Sequence, residues 1–394
     1  MKKISKLFII AKFIERIPAA FFGPIYSVYL LQNGLSLFQV SLVNFTYMIT
    51  LALIDPSTGR LGDKYGHTRI YILGTAIFGL ADLIYGSGSM IMIFIIAEIT
   101  ASIGKALMSE ALEAKLKNSV RDDSEVHKAK ADAKLLSQIG KLSLSAVSTL
   151  VLARFDNLSI GWYIAAAISL GGSGILLFLL RHEVVEEKEI RRNGTATRSE
   201  MSYKQAFRII RHNPKLSFIA MLTFISYLAF QPLNMYWSPL LEQKTGGIEL
   251  LGSFWVAVSL TIVVGQLLAR RIKVAKIDRQ MNLIMLAVTA VMILLATISS
   301  NVVLIALAFL LHEIPRSMQQ TVLHTMTNRS DDEDEIPDED RAFINSIFGS
   351  LTTLGSATGL LGLGALTEFL TIQQVWSVSG GILLVTTLLL WRKK

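Results

Sequence analysis

The stretch TGRLGDKYGHTR, residues 58–69, carries three glycines, one aspartate and several basic side chains between two runs that are almost wholly apolar. Glycines at this density could let backbone N–H groups approach a phosphate. A P-loop, however, requires G-x-x-x-x-G-K-[ST], and a dinucleotide turn requires G-x-G-x-x-G. Neither spacing occurs here. The role of this stretch must therefore be inferred from the apolar segments on either side of it.

The composition of the chain indicates a membrane protein. Of its 394 residues, 52% are hydrophobic and 17% are charged, whereas a soluble domain carries about 25% charged residues. A bilayer core needs roughly 20 apolar residues per helix, and about twelve such segments occur, without the alternation of barrel strands. We therefore predict an all-α membrane protein with twelve transmembrane helices. The absence of cysteine excludes disulfides and thiolate chemistry.

The longest hydrophilic segment, residues 181–215, lies near mid-chain and separates six apolar segments from six. It predicts two pseudo-symmetric six-helix bundles, residues 1–182 and 214–394, joined by a cytoplasmic linker, residues 183–213. The linker includes Tyr203 and Phe207 at helical spacing, which suits a short interfacial helix. Two such repeats around a central cleft are a transporter architecture.

Basic residues predict the orientation of the chain. With a cytoplasmic amino terminus, the inner loops hold nearly all the lysines and arginines, whereas the outer turns hold only Arg154 and Lys244. The positive-inside rule then places both termini in the cytoplasm of a multi-pass protein of the cell membrane. The first apolar segment is too long and too charged to be a cleaved signal peptide, so we expect it to remain. This topology accounts for the net charge of +8 without a nucleic-acid partner.

Residues 58–69 fall between the second and third apolar segments and resemble the loop signature of the major facilitator superfamily, G-x-L-a-D-R-x-G-R-K/R. The matching positions are Gly59, Leu61, Asp63, Lys64 and Gly66. His67 and Thr68 stand where the family usually has basic residues, and Arg69 follows one place later. The resemblance implies a twelve-helix transporter fold and leaves the substrate open.

The same stretch predicts a conformational gate on the cytoplasmic side. Asp63 can accept backbone N–H groups at the amino terminus of the eleventh helix, near Arg341, or pair with a basic residue. Such contacts would hold that side closed and would break on opening. The alternative is a tight loop that its charges keep soluble. The gate residues that we predict are Asp55, Gly59, Asp63, Lys64, Gly66 and Arg69.

Ionisable side chains inside the apolar segments mark a second set of candidates. Each costs at least a few kcal/mol at membrane depth, so it should face a wet cavity or a partner. The candidates for substrate binding or proton coupling are Glu15, Arg16, Glu98, Lys105, Lys141, His312, Glu313 and Arg316. For Glu15 and Arg16 a static ion pair or snorkelling is an equal alternative. His312 suits packing, with a proton role open to it.

The seventh segment has no charge but carries Gln231, Asn234, Tyr236 and Trp237 near two prolines. A helix broken at Pro232, matching a break at Pro24 in the first half, would form a substrate wall. An aromatic belt at the outer interface explains Tyr236 and Trp237 equally well.

These features predict a secondary active transporter that works by alternating access on a small organic solute, as a monomer, without cofactor, metal or enzymatic activity. No Walker motif is present, so we expect proton coupling through Glu98 or Glu313. The family resemblance implies efflux of drugs or metabolites. The fifth segment lacks the Gly-x-x-x-Gly-Pro signature of drug antiporters, and Lys105 and Lys141 favour an organic anion or nutrient importer. A non-transporting receptor is a further alternative.

Overall fold

The structure is a computed structural model that describes residues 3–109, 111–120, 122–181, 203–272, 278–327 and 338–392. In these ranges the chain is helical and contains no strand, as predicted. The helices are α1 (Lys3–Arg16), α2 (Ala19–Phe22), α3 (Tyr26–Gln32), α4 (Leu37–Tyr65), α5 (His67–Gly86), α6 (Ile91–Met108), α7 (Ala111–Ser119), α8 (Asp123–Leu152), α9 (Ser159–Leu179), α10 (Tyr203–His212), α11 (Pro214–Thr245), α12 (Leu251–Arg270), α13 (Arg279–Ile298), α14 (Val302–Thr327), α15 (Asp338–Ala365) and α16 (Ile372–Arg392).

Eleven of the described helices are long and apolar enough to cross a membrane. The first apolar segment is not among them because it is divided into α1, α2, a 3-10 turn (Gly23–Ile25) and α3. Pro18 and Pro24 lie at these divisions, where a missing N–H and the fixed ring interrupt the helical hydrogen bonds. The predicted break at Pro24 is therefore confirmed.

The prediction that residues 58–69 form a loop is wrong. Helix α4 continues to Tyr65, and α5 begins at His67, so the connection is the single residue Gly66. Gly66 has φ of 103°, a conformation that favours glycine, and it ends α4 by donating to the carbonyl of Gly62. Within the stretch, Gly66 is the residue with a positive φ, so the backbone stays helical up to that position.

Contacts divide the chain into two compact units. We call Met1–Ala196 with Gly246–Val256 the N-terminal unit, and Thr197–Thr245 with Ala257–Lys394 the C-terminal unit. In the N-terminal unit α5 packs against α6 and α9, while α8 packs against α1. The contact of α5 with α6 depends on two glycines, since a Cβ on Gly104 would lie 2.7 Å from the backbone nitrogen of Phe78, and one on Gly74 would lie 2.8 Å from the carbonyl of Gly104.

In the C-terminal unit α11 packs on α15, and α13 packs on α14 and α16. Helix α11 is continuous through Pro232, so the predicted break there is wrong. Pro232 cannot donate to the carbonyl of Leu228, and Gly359 of α15 packs directly on that carbonyl: a Cβ there would approach within 2.3 Å. The Trp376 indole donates to the Pro232 carbonyl at 3.3 Å. Contacts with neighbouring helices therefore hold the proline inside the helix.

Candidate functional site

Glu98 of α6 lies in a cluster of aromatic side chains within the N-terminal unit. Its side chain is buried, with the residue 4% exposed. The carboxylate accepts hydrogen bonds from the hydroxyl groups of Tyr26 and Tyr85, the latter at 2.5 Å. Among the described residues no basic side chain lies within ion-pair distance of it. The site can therefore hold either a negative charge solvated by two hydroxyls or a neutral acid.

Rigid packing fixes the position of those hydroxyls. The Tyr85 ring stacks on Trp162 with centroids 4.0 Å apart, and Trp162 stacks on Phe22 at 4.5 Å. Tyr29 donates to the backbone carbonyl of Tyr85 at 2.8 Å. The sequence identified Glu98 but missed both tyrosines, which lie on α3 and α5 and meet the carboxylate only through helix packing.

A second carboxylate, Glu15, is the centre of an ion-pair network. Its two oxygens accept from Lys105 at 2.8 Å and from Lys12 at 2.7 Å. Tyr71 also lies within hydrogen-bonding distance of Glu15 Oε2, at 3.0 Å. The structure thus brings Glu15 and Lys105 into direct contact, a pairing that was not predicted from the sequence. An ion pair is one of the alternatives that the sequence left open for Glu15.

Two of the predicted basic residues, Arg16 and Lys141, differ from Lys12 and Lys105 in their surroundings. Arg16, at the end of α1, is exposed, and Lys141, on α8, is partly exposed. In the described part of the chain neither makes an ion pair with a carboxylate. The Lys141 ammonium lies over the ring of Trp255, 5.3 Å from its centroid.

In the C-terminal unit, Glu313 and Arg316 of α14 form a buried ion pair. The residues are 3% and 8% exposed, and the Arg316 guanidinium donates to the carboxylate at 2.8 Å. The same nitrogen donates to the side-chain oxygen of Asn234 on α11 at 3.0 Å, and the guanidinium lies 4.4 Å from the centroid of Phe230. Predicted residues from two helices are therefore in direct contact.

His312 adjoins this pair and is completely buried. Its Nδ1 donates to the backbone carbonyl of Phe309, which requires the hydrogen to be on Nδ1. Nε2 has no hydrogen-bond partner among the described residues and lies 3.5 Å from an oxygen of Glu313. A buried ring nitrogen without a hydrogen-bond partner in the described part of the chain therefore lies beside the ion pair.

The remaining residues of the seventh apolar segment are divided by burial. Gln231 and Tyr236 are 6% and 0% exposed, Trp237 is partly exposed and Asn234 is exposed. Tyr236 is completely buried and so is not at a lipid-facing surface. The aromatic-belt interpretation therefore does not apply to Tyr236.

The structure describes only part of the predicted gate. The side chains of Asp55 and Asp63, like that of Arg341, lie outside the described residues, and so do the surroundings of Gly59. Lys64 is exposed, with its ammonium 5.1 Å from the centroid of the Tyr65 ring, and Arg69 is exposed as well. The role of Asp63 in the gate therefore stays a prediction.

Comparison with known proteins assigns the fold to a family. A sequence model of the Major Facilitator Superfamily matches residues 8–335 of this chain. The chain belongs to the Major Facilitator Superfamily. Multidrug resistance protein 2 of Bacillus subtilis (strain 168) is 32% identical over 68 residues, which cover 17% of this chain and only 17% of that protein.

Solved structures of transporters share this superfamily fold over the whole chain. The nucleoside transporter NupG superimposes with a TM-score of 0.77 at 12% identity, covering 100% of both chains. The human organic anion transporter MFSD10 (TETRAN) superimposes with a TM-score of 0.64 at 13% identity, covering 98% of this chain and 99% of that one. At these identities the likeness concerns the fold.

Proposed function

We propose that this superfamily protein is a secondary active transporter that exports a small organic solute in exchange for protons. It lies in the cell membrane as a monomer, with both termini in the cytoplasm. Residues 1–182 and 214–394 act as the two bundles that alternate in access, with residues 183–213 as their linker. Membership of the transporter superfamily supports the mechanism, and the short match to a multidrug resistance protein supports the direction.

The environment of Glu98 supports proton coupling. Glu15 and Glu313 each contact a basic side chain within 3 Å, whereas Glu98 contacts two neutral hydroxyls. Gain or loss of a proton at Glu98 therefore changes the net charge of a buried cluster by one. Because a buried unpaired charge is costly, that change can favour one conformation over another.

The His312–Glu313 pair is a second candidate for holding a proton, on separate evidence. Nε2 of His312 has no hydrogen-bond partner among the described residues and lies 3.5 Å from a Glu313 oxygen, which Arg316 also contacts at 2.8 Å. A conformational change that moved Arg316 away would alter the charge balance of the pair. The two candidates for proton coupling therefore lie one in each unit, Glu98 in the N-terminal unit and Glu313 in the C-terminal unit.

Purified protein in liposomes with a pH-sensitive dye inside provides the test. We expect an inward pH gradient to drive movement of solutes from a panel of drugs, nucleosides and carboxylic acids, with proton flux that depends on the solute. Protein-free liposomes give the background. Solute movement without proton flux would exclude coupling, and the absence of both across the panel would favour a receptor.

A further inference from the structure

An excess of positive charge surrounds the carboxyl-terminal end of α1 and the middle of α8 in the N-terminal unit. Among the described residues, four cations, Lys12, Arg16, Lys105 and Lys141, are found there with one carboxylate, Glu15, which two of the lysines already share. Glu98 is occupied by two tyrosines. Three positive charges are thus uncompensated when Glu15 is ionised.

The position of Lys141 makes this excess costly for the empty protein. Lys141 precedes Leu152, the end of α8, by 11 residues and follows Asp123, its beginning, by 18 residues. At 1.5 Å per residue it lies about 16 Å from the nearer end, roughly half the thickness of a bilayer core. Its four-carbon stem cannot carry the ammonium to either interface, so the charge needs a partner at that depth.

Among the described residues, no carboxylate of the helices that pack on α8 supplies that partner. Glu15 is the only acidic residue of α1 and is bound by Lys12 and Lys105, while α2 and α9 contain no acidic residue. Glu113 of α7 pairs with Lys130 instead. Asp132, on α8 itself, lies nine residues before Lys141, about 13 Å along the helix.

Arg16 belongs to the same electrostatic environment as Lys141. Its guanidinium is exposed, and its positive charge acts on the Lys141 ammonium. Two cations that repel each other at membrane depth are stabilised by an anion that both can contact. An arginine also offers a planar pair of donors that matches a carboxylate or a phosphate.

Trp255 adds an apolar surface to the site. Its ring lies beneath the Lys141 ammonium and so close to Gly23 that a Cβ there would come within 1.9 Å of it. Gly23 lies in the 3-10 turn that divides the first apolar segment. The broken helix, the tryptophan and the two cations thus form one site, with an aromatic wall beside two free positive charges.

Resting on the proposed transport function, we propose that the substrate is an organic anion. Arg16 and Lys141 bind its carboxylate, sulfonate or phosphate group, and Trp255 packs against its apolar body. Lys105 is held by Glu15 and contributes to the positive field.

Two dyes of the same scaffold and opposite charge test this assignment. Fluorescein is anionic and rhodamine 123 is cationic, and their binding to the protein in nanodiscs of neutral phosphatidylcholine is measured by fluorescence anisotropy. We expect fluorescein to bind more tightly than rhodamine 123. Lys141→Gln should weaken fluorescein binding about tenfold or more, because a hydrogen bond between charged groups is lost.

The matched control is Lys134→Gln, which removes an exposed lysine from the same helix and should leave fluorescein binding unchanged. Lys141→Glu should reverse the preference toward rhodamine 123. Any of three results would overturn the anion assignment. The unmodified protein could prefer rhodamine 123, neither dye could bind, or Lys141→Gln could leave fluorescein binding unchanged.

Flux measurements with the same dyes separate this assignment from the proposed function. Transport of rhodamine 123 but not fluorescein would leave the transporter in place and reject the anion site. Binding of fluorescein that depends on Lys141, without flux of any solute tested, would support the anion site and reject transport.

Discussion

Replacing Arg316 with leucine should destabilise the protein through the charge that it leaves behind. Glu313 is 3% exposed, and after the replacement its nearest polar neighbour among the contacts described above is Nε2 of His312, at 3.5 Å. Removing one member of a buried ion pair costs about 3–5 kcal/mol. Taking up a proton limits this cost, since neutralising an ordinary glutamate at pH 7 requires about 3.7 kcal/mol. We therefore expect a loss of about 4 kcal/mol for Arg316→Leu.

Two comparisons make this prediction specific. At pH 5 the cost of neutralising an ordinary glutamate falls to about 1 kcal/mol, so most of the destabilisation should disappear. The double variant Glu313→Leu with Arg316→Leu buries no charge and should be more stable than Arg316→Leu alone. Unfolding in sodium dodecyl sulfate, followed by circular dichroism at both pH values, measures these differences. A double variant no more stable than Arg316→Leu would refute the ion-pair account.

Three further predictions concern helix packing, the gate and topology. Gly104→Ala places a methyl group 2.7 Å from the backbone of Phe78. It should therefore lower the free energy of unfolding by about 1–3 kcal/mol in the same assay. Gly171→Ala has open space around the added methyl group and should leave the free energy of unfolding unchanged. Asp63→Asn should leave expression intact and slow transport, and unchanged flux would exclude the gate. The chain has no cysteine, so single cysteines can report the topology. Asp156→Cys should react with an impermeant maleimide in intact cells, whereas Tyr65→Cys should react only after the cells are permeabilised. The reverse pattern would contradict the predicted orientation.

The carboxylates of the candidate site could be identified from the sequence because an ionisable side chain in an apolar segment is energetically costly wherever it lies. An ionisable side chain within an apolar segment is expensive, so Glu15, Glu98 and Glu313 stand out without knowledge of their surroundings. The same argument gives no information about their partners. Tyr26 is 72 residues from Glu98 in sequence, and a tyrosine in an apolar segment is typical of ordinary packing. The difference between a paired and an unpaired carboxylate depends on helix packing.

The backbone conformation at the two prolines also depended on tertiary contacts that the local sequence does not reveal. Pro24 and Pro232 each lie within the first apolar segment of their half, but the helix breaks at Pro24 and continues through Pro232. Contacts from Gly359 and Trp376 stabilise the second site, and those residues lie more than a hundred positions away. In residues 58–69 polarity indicated a loop, yet the backbone remained helical to Tyr65 because polarity alone does not end a helix.

The most direct test of proton coupling is uphill transport by Glu98→Gln in proteoliposomes. Glutamine keeps an oxygen that accepts from Tyr26 and Tyr85 but cannot exchange a proton. We predict that the unmodified protein accumulates its solute against a concentration gradient when a pH gradient is imposed. Glu98→Gln should lose this accumulation and retain solute exchange at equal pH. Accumulation by Glu98→Gln at the rate of the unmodified protein would contradict the assignment of Glu98 as the coupling residue.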